Sequence, residues 1–129
     1  MKIYLAARMG RRNEMRKNAE VLEGIPGMEV VSDWYKIHVD DSDFSEDDLG
    51  AMAEWDLVGV GICDCLLIFT ENPSVDIPGA SRGGRFVEMG YALAKGKRVV
   101  VIGPRENIFC QHPGVDWFEN FNDFLRGID

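Results

Sequence analysis

The sequence predicts a three-layer α/β fold, Rossmann-like in the flavodoxin-like arrangement, with a five-stranded parallel sheet in the order 2-1-3-4-5. Three observations carry this expectation. Short apolar runs alternate with amphipathic stretches along the chain, as in a sheet whose strands are joined by helices. Residues 65–70 (CLLIFT) are continuously apolar at strand length, the pattern of a parallel strand covered on both faces. The 129 residues are 46% hydrophobic, enough for one sizeable core, so 1–129 reads as a single domain.

Each element follows in order. Residues 2–7 (KIYLAA) form a first strand. In 11–25, Met15, Ala19, Leu22 and Ile25 fall at helical spacing, Gly27 stops the helix, and 28–34 (MEVVSDW) is the second strand. The polar, acidic segment 36–48 ends in Ser45 and Asp48, a cap for a helix that continues through LGAMAEWDLVGVGI. After the strand 65–70 comes a Pro, Ser and Gly-rich loop, 71–84. A helix follows in RFVEMGYALAKG and a buried strand in KRVVVIG. A strand at 115–118 and a helix at 119–127 close the chain. Parallel neighbours require right-handed crossovers, and in the order 2-1-3-4-5 the first and third strands are adjacent with connections leaving to opposite faces. A crevice therefore opens at their carboxyl ends, where ligands usually bind.

Charge narrows the partners. Against 14 basic residues stand 22 acidic ones, a net charge of -8, which disfavours a nucleic-acid polymer or an anionic membrane as partner. No run reaches the roughly 20 apolar residues that span a bilayer. Three cysteines complete no disulfide framework, and the start lacks a signal-peptide pattern, so a reduced, cytoplasmic protein acting on a small molecule is expected.

The two loops at the crevice carry Arg8, Gly10, Arg11 and Arg12 in one and Ser81, Arg82, Gly83, Gly84 and Arg85 in the other. Guanidinium forks, glycine-rich backbone amides and a helix amino terminus are the parts of an anion site, with phosphate the usual occupant. The same residues also fit solvated helix starts and simple turns. Glu88 lies one turn past the glycine pair, where the helix dipole favours its ionised form. Such a carboxylate can serve as nucleophile or base, and it can equally be an ordinary surface glutamate. Asp56 in the preceding helix could share acid-base work with it or face solvent. Asp64 reads as a helix-to-strand turn residue.

Three segments, KIYLAARMGRRNE, WDLVGVGICDCLLIFT and GGRFVEMGYALAKGKRVVVIG, together resemble the nucleoside 2-deoxyribosyltransferase family and its relatives, the 2'-deoxynucleoside 5'-phosphate N-hydrolases. The likeness spans nearly the whole chain in the same order. It implies that Glu88 is the nucleophile that attacks the anomeric carbon, that Tyr4 holds this glutamate, and that Asp56 contacts or protonates the leaving base. The transferases have an acidic residue where this chain has Ser81 and Arg82, whereas the monophosphate hydrolases have serine there and an Arg/Gly-rich first loop. The resemblance thus favours hydrolysis of a 5'-monophosphate over transfer between free nucleosides. It also implies a homo-oligomer in which a neighbouring subunit completes the pocket, with Asn107 or His112 in the corresponding region.

No cofactor or metal is expected. Cys63, Cys65 and Cys110 with two histidines make no convincing zinc set, and small buried apolar residues describe these thiols better. The acidic stretch around Asp41 lacks the glycine and closing glutamate of an EF-hand. Gly59 and Gly61 complete no dinucleotide fingerprint, and no Walker-type lysine is present. Trp34, Trp55 and Trp117 read as core or interface anchors, with Trp34 or Tyr35 able to stack on a base. Two classes of function remain: an enzyme acting through Glu88, and a nucleotide-binding module that keeps the arginines without catalysis.

Overall fold

The computed structural model describes residues 1–37, 44–73 and 83–128. Five parallel strands, β1 (Lys2–Ala6), β2 (Glu29–Val30), β3 (Cys65–Phe69), β4 (Arg98–Ile102) and β5 (Val115–Phe118), form one sheet in the order β2-β1-β3-β4-β5. The helices are α1 (Arg12–Glu23), α2 (Glu46–Ile62), α3 (Gly84–Ala94) and α4 (Phe121–Arg126). Sheet order and parallel pairing agree with the expectation from the sequence.

Burial explains why the central strands read so clearly. All five residues of β3 are buried, as are the last four of β1 and of β4. On the helices, Met15, Ala19 and Leu22 of α1, and Met89 and Ala92 of α3, close over the sheet. The start of α2 is held by the capping box foreseen in the sequence: Ser45 Oγ accepts from the Asp48 N–H at 3.1 Å, and the Asp48 carboxylate accepts from the Ser45 N–H at 3.1 Å.

The second strand differs most from expectation, spanning Glu29–Val30 and not 28–34. Side chains replace the backbone ladder beyond it. The Leu5 N–H donates to Ser32 Oγ at 3.0 Å, and the Trp34 indole N–H donates to the Leu5 carbonyl at 2.7 Å. With the β1 edge satisfied in this way, the chain leaves the sheet and turns into a 3-10 turn at Trp34–Lys36. The last helix is also shorter than expected, because Asn120 caps it by accepting from the Asp123 N–H.

Helix α2 is apolar on two sides. Gly59 and Val60 are buried towards the core, while Trp55, Val58 and Ile62 are 61%, 53% and 51% exposed and Val87 of α3 is 63% exposed. Among the described residues, no helix is long and apolar enough to cross a membrane.

Candidate active site

Tyr4 sits in the middle of β1, buried, between strands that fix its backbone. Its ring fits only because α2 presents Gly59 to it: a Cβ there would come within 2.9 Å of the Tyr4 Cε2 atom. The phenol then reaches α3 and donates a hydrogen bond to Glu88 Oε2. Helix α3 starts where Gly83 adopts a left-handed φ of 78°, a conformation that costs glycine little. The β1 strand, the α2 glycine and the α3 start thus meet on one carboxylate.

The electrostatics of Glu88 run against the simple dipole expectation. Burial pushes its carboxyl up to about 7, the Tyr4 hydroxyl pulls it down, and the field of Asp56 adds to the rise. Desolvation outweighs the helix terminus, so the protonated form is favoured more than in water. Asp56 is raised to about 6, by burial and by the neighbouring Asp33. The Tyr4 phenol is raised as well, by burial and by the fields of Glu88, Asp56 and Asp33. Three carboxylates therefore act on one hydroxyl, and the phenol stays a proton donor.

Beside this cluster lies a cavity of about 240 Å³, lined by Met9, Asp33, Trp34, Ile37, Ala51, Met52, Trp55 and Asp56. Trp34 is pinned by its bond to the Leu5 carbonyl, which makes it a fixed aromatic wall. The Trp55 indole N–H donates to both oxygens of Asp33, at 3.1 and 3.0 Å. Among the described lining residues there is no lysine or arginine. Tyr35, the other base-stacking candidate, is buried and bonds through its hydroxyl to Ser32, away from the cavity lining.

The arginine rim has a different character. Arg8 and Arg11 converge on one carboxylate, Glu71, with N···O distances of 3.2 and 2.9 Å. Arg11 also holds Glu14 at 2.6 Å and the Thr70 carbonyl at 3.2 Å. Arg85 is 4% exposed, pairs with Glu106 at 2.8 Å and lies over the Phe86 ring. Glu106 in turn accepts from the Glu71 N–H at 2.8 Å. Gly10 sits under the folded Arg8 side chain, Arg12 opens α1, and Gly84 opens α3. Ser81 and Arg82 lie outside the described residues.

The remaining candidates have local roles in the chain. Asn107 caps the 3-10 turn Ile108–Gln111 by accepting from the Phe109 N–H, and His112 Nδ1 accepts from the Gly114 N–H at 2.9 Å. Asp64 accepts from the Lys2 N–H at 2.8 Å, as a turn residue would. Cys63, Cys65 and Cys110 are buried and unbridged, and burial pushes the first two thiols up to about 11 and about 12. Trp55 and Trp117 are 61% and 41% exposed, so among the three tryptophans Trp34 alone is a core residue. Among the described residues, no group of three or more His, Cys, Asp or Glu is arranged to hold a metal ion.

Sequence reasoning missed Asp33, Gly59, Glu71 and Glu106. The signal for Gly59 was a glycine interrupting an apolar helix, which marks close approach as readily as a fingerprint. Asp33 and Glu71 each sit at or just beyond a strand's carboxyl end, the edge where the crevice was expected.

The same architecture occurs in solved structures. A 2-deoxyribosyltransferase from the psychrotolerant bacterium Bacillus psychrosaccharolyticus is 21% identical, superposes with a TM-score of 0.76, and is matched over 100% of this chain and 93% of its own. A CMP N-glycosidase from Clostridium botulinum is 24% identical, with a TM-score of 0.61 over 100% of this chain and 98% of its own. A conserved protein from Enterococcus faecalis is 18% identical, with a TM-score of 0.51 over 99% and 76%. The fold is shared. No protein-family model matches the chain, and no curated protein matches it either.

Proposed function

We propose that this protein is an N-glycosidic enzyme that cleaves the base from a deoxyribonucleoside or its 5'-monophosphate through Glu88. One observation carries the reading: Tyr4 donates to a partly buried Glu88 within the field of a second raised carboxyl, Asp56. A solvated surface glutamate has no such setting. The 2-deoxyribosyltransferase and the CMP N-glycosidase that share this fold support the same chemistry.

In the proposed reaction the ionised Glu88 attacks the anomeric carbon as the bond to the base nitrogen breaks. The bonding pair leaves with the base, and protonated Asp56 supplies the proton that neutralises it. A glycosyl ester remains on Glu88. Ionised Asp56 then takes a proton from water, which attacks the same carbon and releases the sugar and the Glu88 carboxylate. Tyr4 holds the glutamate in place and stabilises its charge each time it is regenerated. The active form needs Glu88 ionised and Asp56 protonated, and its share is greatest between pH 6 and 7 given values of about 7 and about 6. A bell-shaped pH profile centred in that interval is expected.

Arg8 and Arg11 are the residues we assign to a 5'-phosphate, together with Gly10, Gly83, Gly84 and Arg85; Ser81 and Arg82, which the resemblance implies in the same role, lie outside the described residues. A phosphate would take the place that Glu71 now occupies between the two guanidinium groups. A homo-oligomer fits the exposed apolar face of Trp55, Val58, Ile62 and Val87 next to the site. The turn carrying Asn107 and His112, with Ile108 77% exposed and Phe109 59% exposed, is the segment we assign to contact with a neighbour. Size-exclusion chromatography with light scattering checks the assembly.

Incubation with deoxynucleosides and their monophosphates, with and without an acceptor base, tests the activity. Base release from monophosphates indicates the hydrolase, and base exchange on free nucleosides indicates the transferase. No turnover of any of them, or full activity in Glu88→Ala, would overturn the reading.

A further inference from the structure

We propose that Asp33, braced by Trp55, makes the cavity selective for a nucleobase that carries an exocyclic amino group, of the cytosine or adenine type. The inference rests on the N-glycosidic reading and specifies its substrate class.

Size comes first. At about 240 Å³ the cavity is smaller than the roughly 300–1,000 Å³ of sites for drug-sized ligands. It suits a flat ring, with the sugar left outside. Its walls have the matching chemistry: the Trp34 indole gives a fixed aromatic surface, and Met9, Ile37, Ala51 and Met52 give apolar and thioether contacts.

Polar groups then decide which ring. Asp33 and Asp56 are the ionisable side chains of the described lining, and both are carboxyl groups. The Trp55 indole N–H bridges the two Asp33 oxygens at 3.1 and 3.0 Å, which fixes the plane of the carboxylate. One N–H shared between two oxygens leaves acceptor sites on that carboxylate, and among the described residues no other side chain is shown donating to it. Filling the cavity with a base strips water from Asp33, so the incoming edge must bring a donor. An exocyclic amine does so. A carbonyl at the same position, as in uracil or hypoxanthine, sets acceptor against acceptor. Asp56, which donates when protonated, complements a ring nitrogen acceptor adjacent to such an amine. Cytosine and adenine present this donor and acceptor side by side, and their deaminated counterparts do not.

The pairs cytosine against uracil and adenine against hypoxanthine differ by this one exchange, so they are the probes. Two readouts keep the inference separate from the reaction: turnover of the four deoxynucleosides or their monophosphates, and calorimetric binding of the four free bases. We expect the amino member of each pair to be favoured by about 10- to 100-fold, the discrimination that a good pair of hydrogen bonds to a base edge supplies. Asp33→Asn offers an amide donor in place of one acceptor and should shrink that ratio to within about threefold. Trp55→Phe keeps a ring but removes the brace, and should lower the ratio by a smaller factor. Equal or undetectable binding of both members of each pair overturns the inference, as does an unchanged ratio in Asp33→Asn. Selective binding of the amino bases without any turnover would leave the inference standing and remove the catalytic reading instead.

Discussion

Two charged regions lie at the carboxyl edge of the same sheet, and they are built on opposite rules. In the arginine rim every described guanidinium with an assigned partner is matched by a carboxylate: Arg8 and Arg11 by Glu71, Arg11 again by Glu14, Arg85 by Glu106. In the pocket cluster, Asp33, Asp56 and Glu88 gather around Tyr4 with hydroxyl and indole donors but no described cation among the cavity-lining residues. Paired charges hold a loop in shape at little electrostatic cost. Carboxylates partly withdrawn from water without a described cation beside them are costly, and the raised values of Glu88 and Asp56 record that cost. A fold retains such groups where they move protons or bond to a substrate, which is why the cluster and not the rim is assigned the chemistry.

Substitution of Asp56 separates the cluster from the rim by rate and by pH. Asp56→Asn should lower turnover by about 100-fold, since it removes the proton for the leaving base. The same change should turn the bell-shaped pH profile into a rise with its midpoint near or somewhat below pH 7 that levels off above it, because ionisation of Glu88 alone then limits the rate. Steady-state kinetics from pH 5 to 9 would show it.

The cost of the cluster is also visible in stability. Glu88 binds its proton more tightly in the folded chain than at its ordinary value of 4.5. Stability from this group is therefore fully present below that value and is lost as pH rises through about 7. Glu88→Gln, which still accepts from Tyr4, should be more stable than the parent at pH 8 by on the order of 2 kcal/mol and should show little difference at pH 4. Urea denaturation at the two pH values measures this. A rim residue such as Arg85, whose pair with Glu106 is buried, should behave in the opposite way, with stability lost on substitution at both pH values.

Gly59→Ala probes the packing beneath the cluster. The added Cβ would stand 2.9 Å from the Tyr4 ring, which is itself buried and cannot swing away. We expect a loss of about 1–3 kcal/mol in stability together with reduced turnover, because the phenol is displaced from Glu88. The smallest effect belongs to the rim. Glu71→Gln removes the internal partner of Arg8 and Arg11, and should tighten binding of a deoxynucleoside monophosphate a few-fold relative to its free nucleoside. Partly exposed pairs of this kind are individually weak, so calorimetry with both ligands is the suitable readout.

How much of this was legible in the sequence varies with the physics involved. The central strands were, because burial on both faces writes itself as an unbroken apolar run such as CLLIFT. The capping box of α2 was, because Ser45 and Asp48 act locally. The length of β2 was not: its end is set by Ser32 and Trp34 side chains bonding to Leu5, a contact between residues nearly thirty apart. The contact of Tyr4 with Glu88 came from resemblance alone, and a shared role for Asp56 and Glu88 was one of two open readings of the residues, since no spacing rule brings β1, α2 and α3 to one point. The pairing of the arginines was invisible for the same reason, and composition overstated how positive that rim is. Asp33 drew no notice because its significance lies in a partner, Trp55, that the fold supplies.

The chemistry assigned to the cluster requires a covalent bond between the sugar and Glu88. Protein mixed with a deoxynucleoside monophosphate that it turns over can be quenched in acid within the first turnover and weighed intact, then digested. The predicted result is a mass increase of one deoxyribosyl phosphate on the peptide containing Glu88, absent in Glu88→Gln, whose turnover should fall on the order of 10³-fold or more. Undiminished base release by Glu88→Gln, with no adduct in the parent protein, would contradict it.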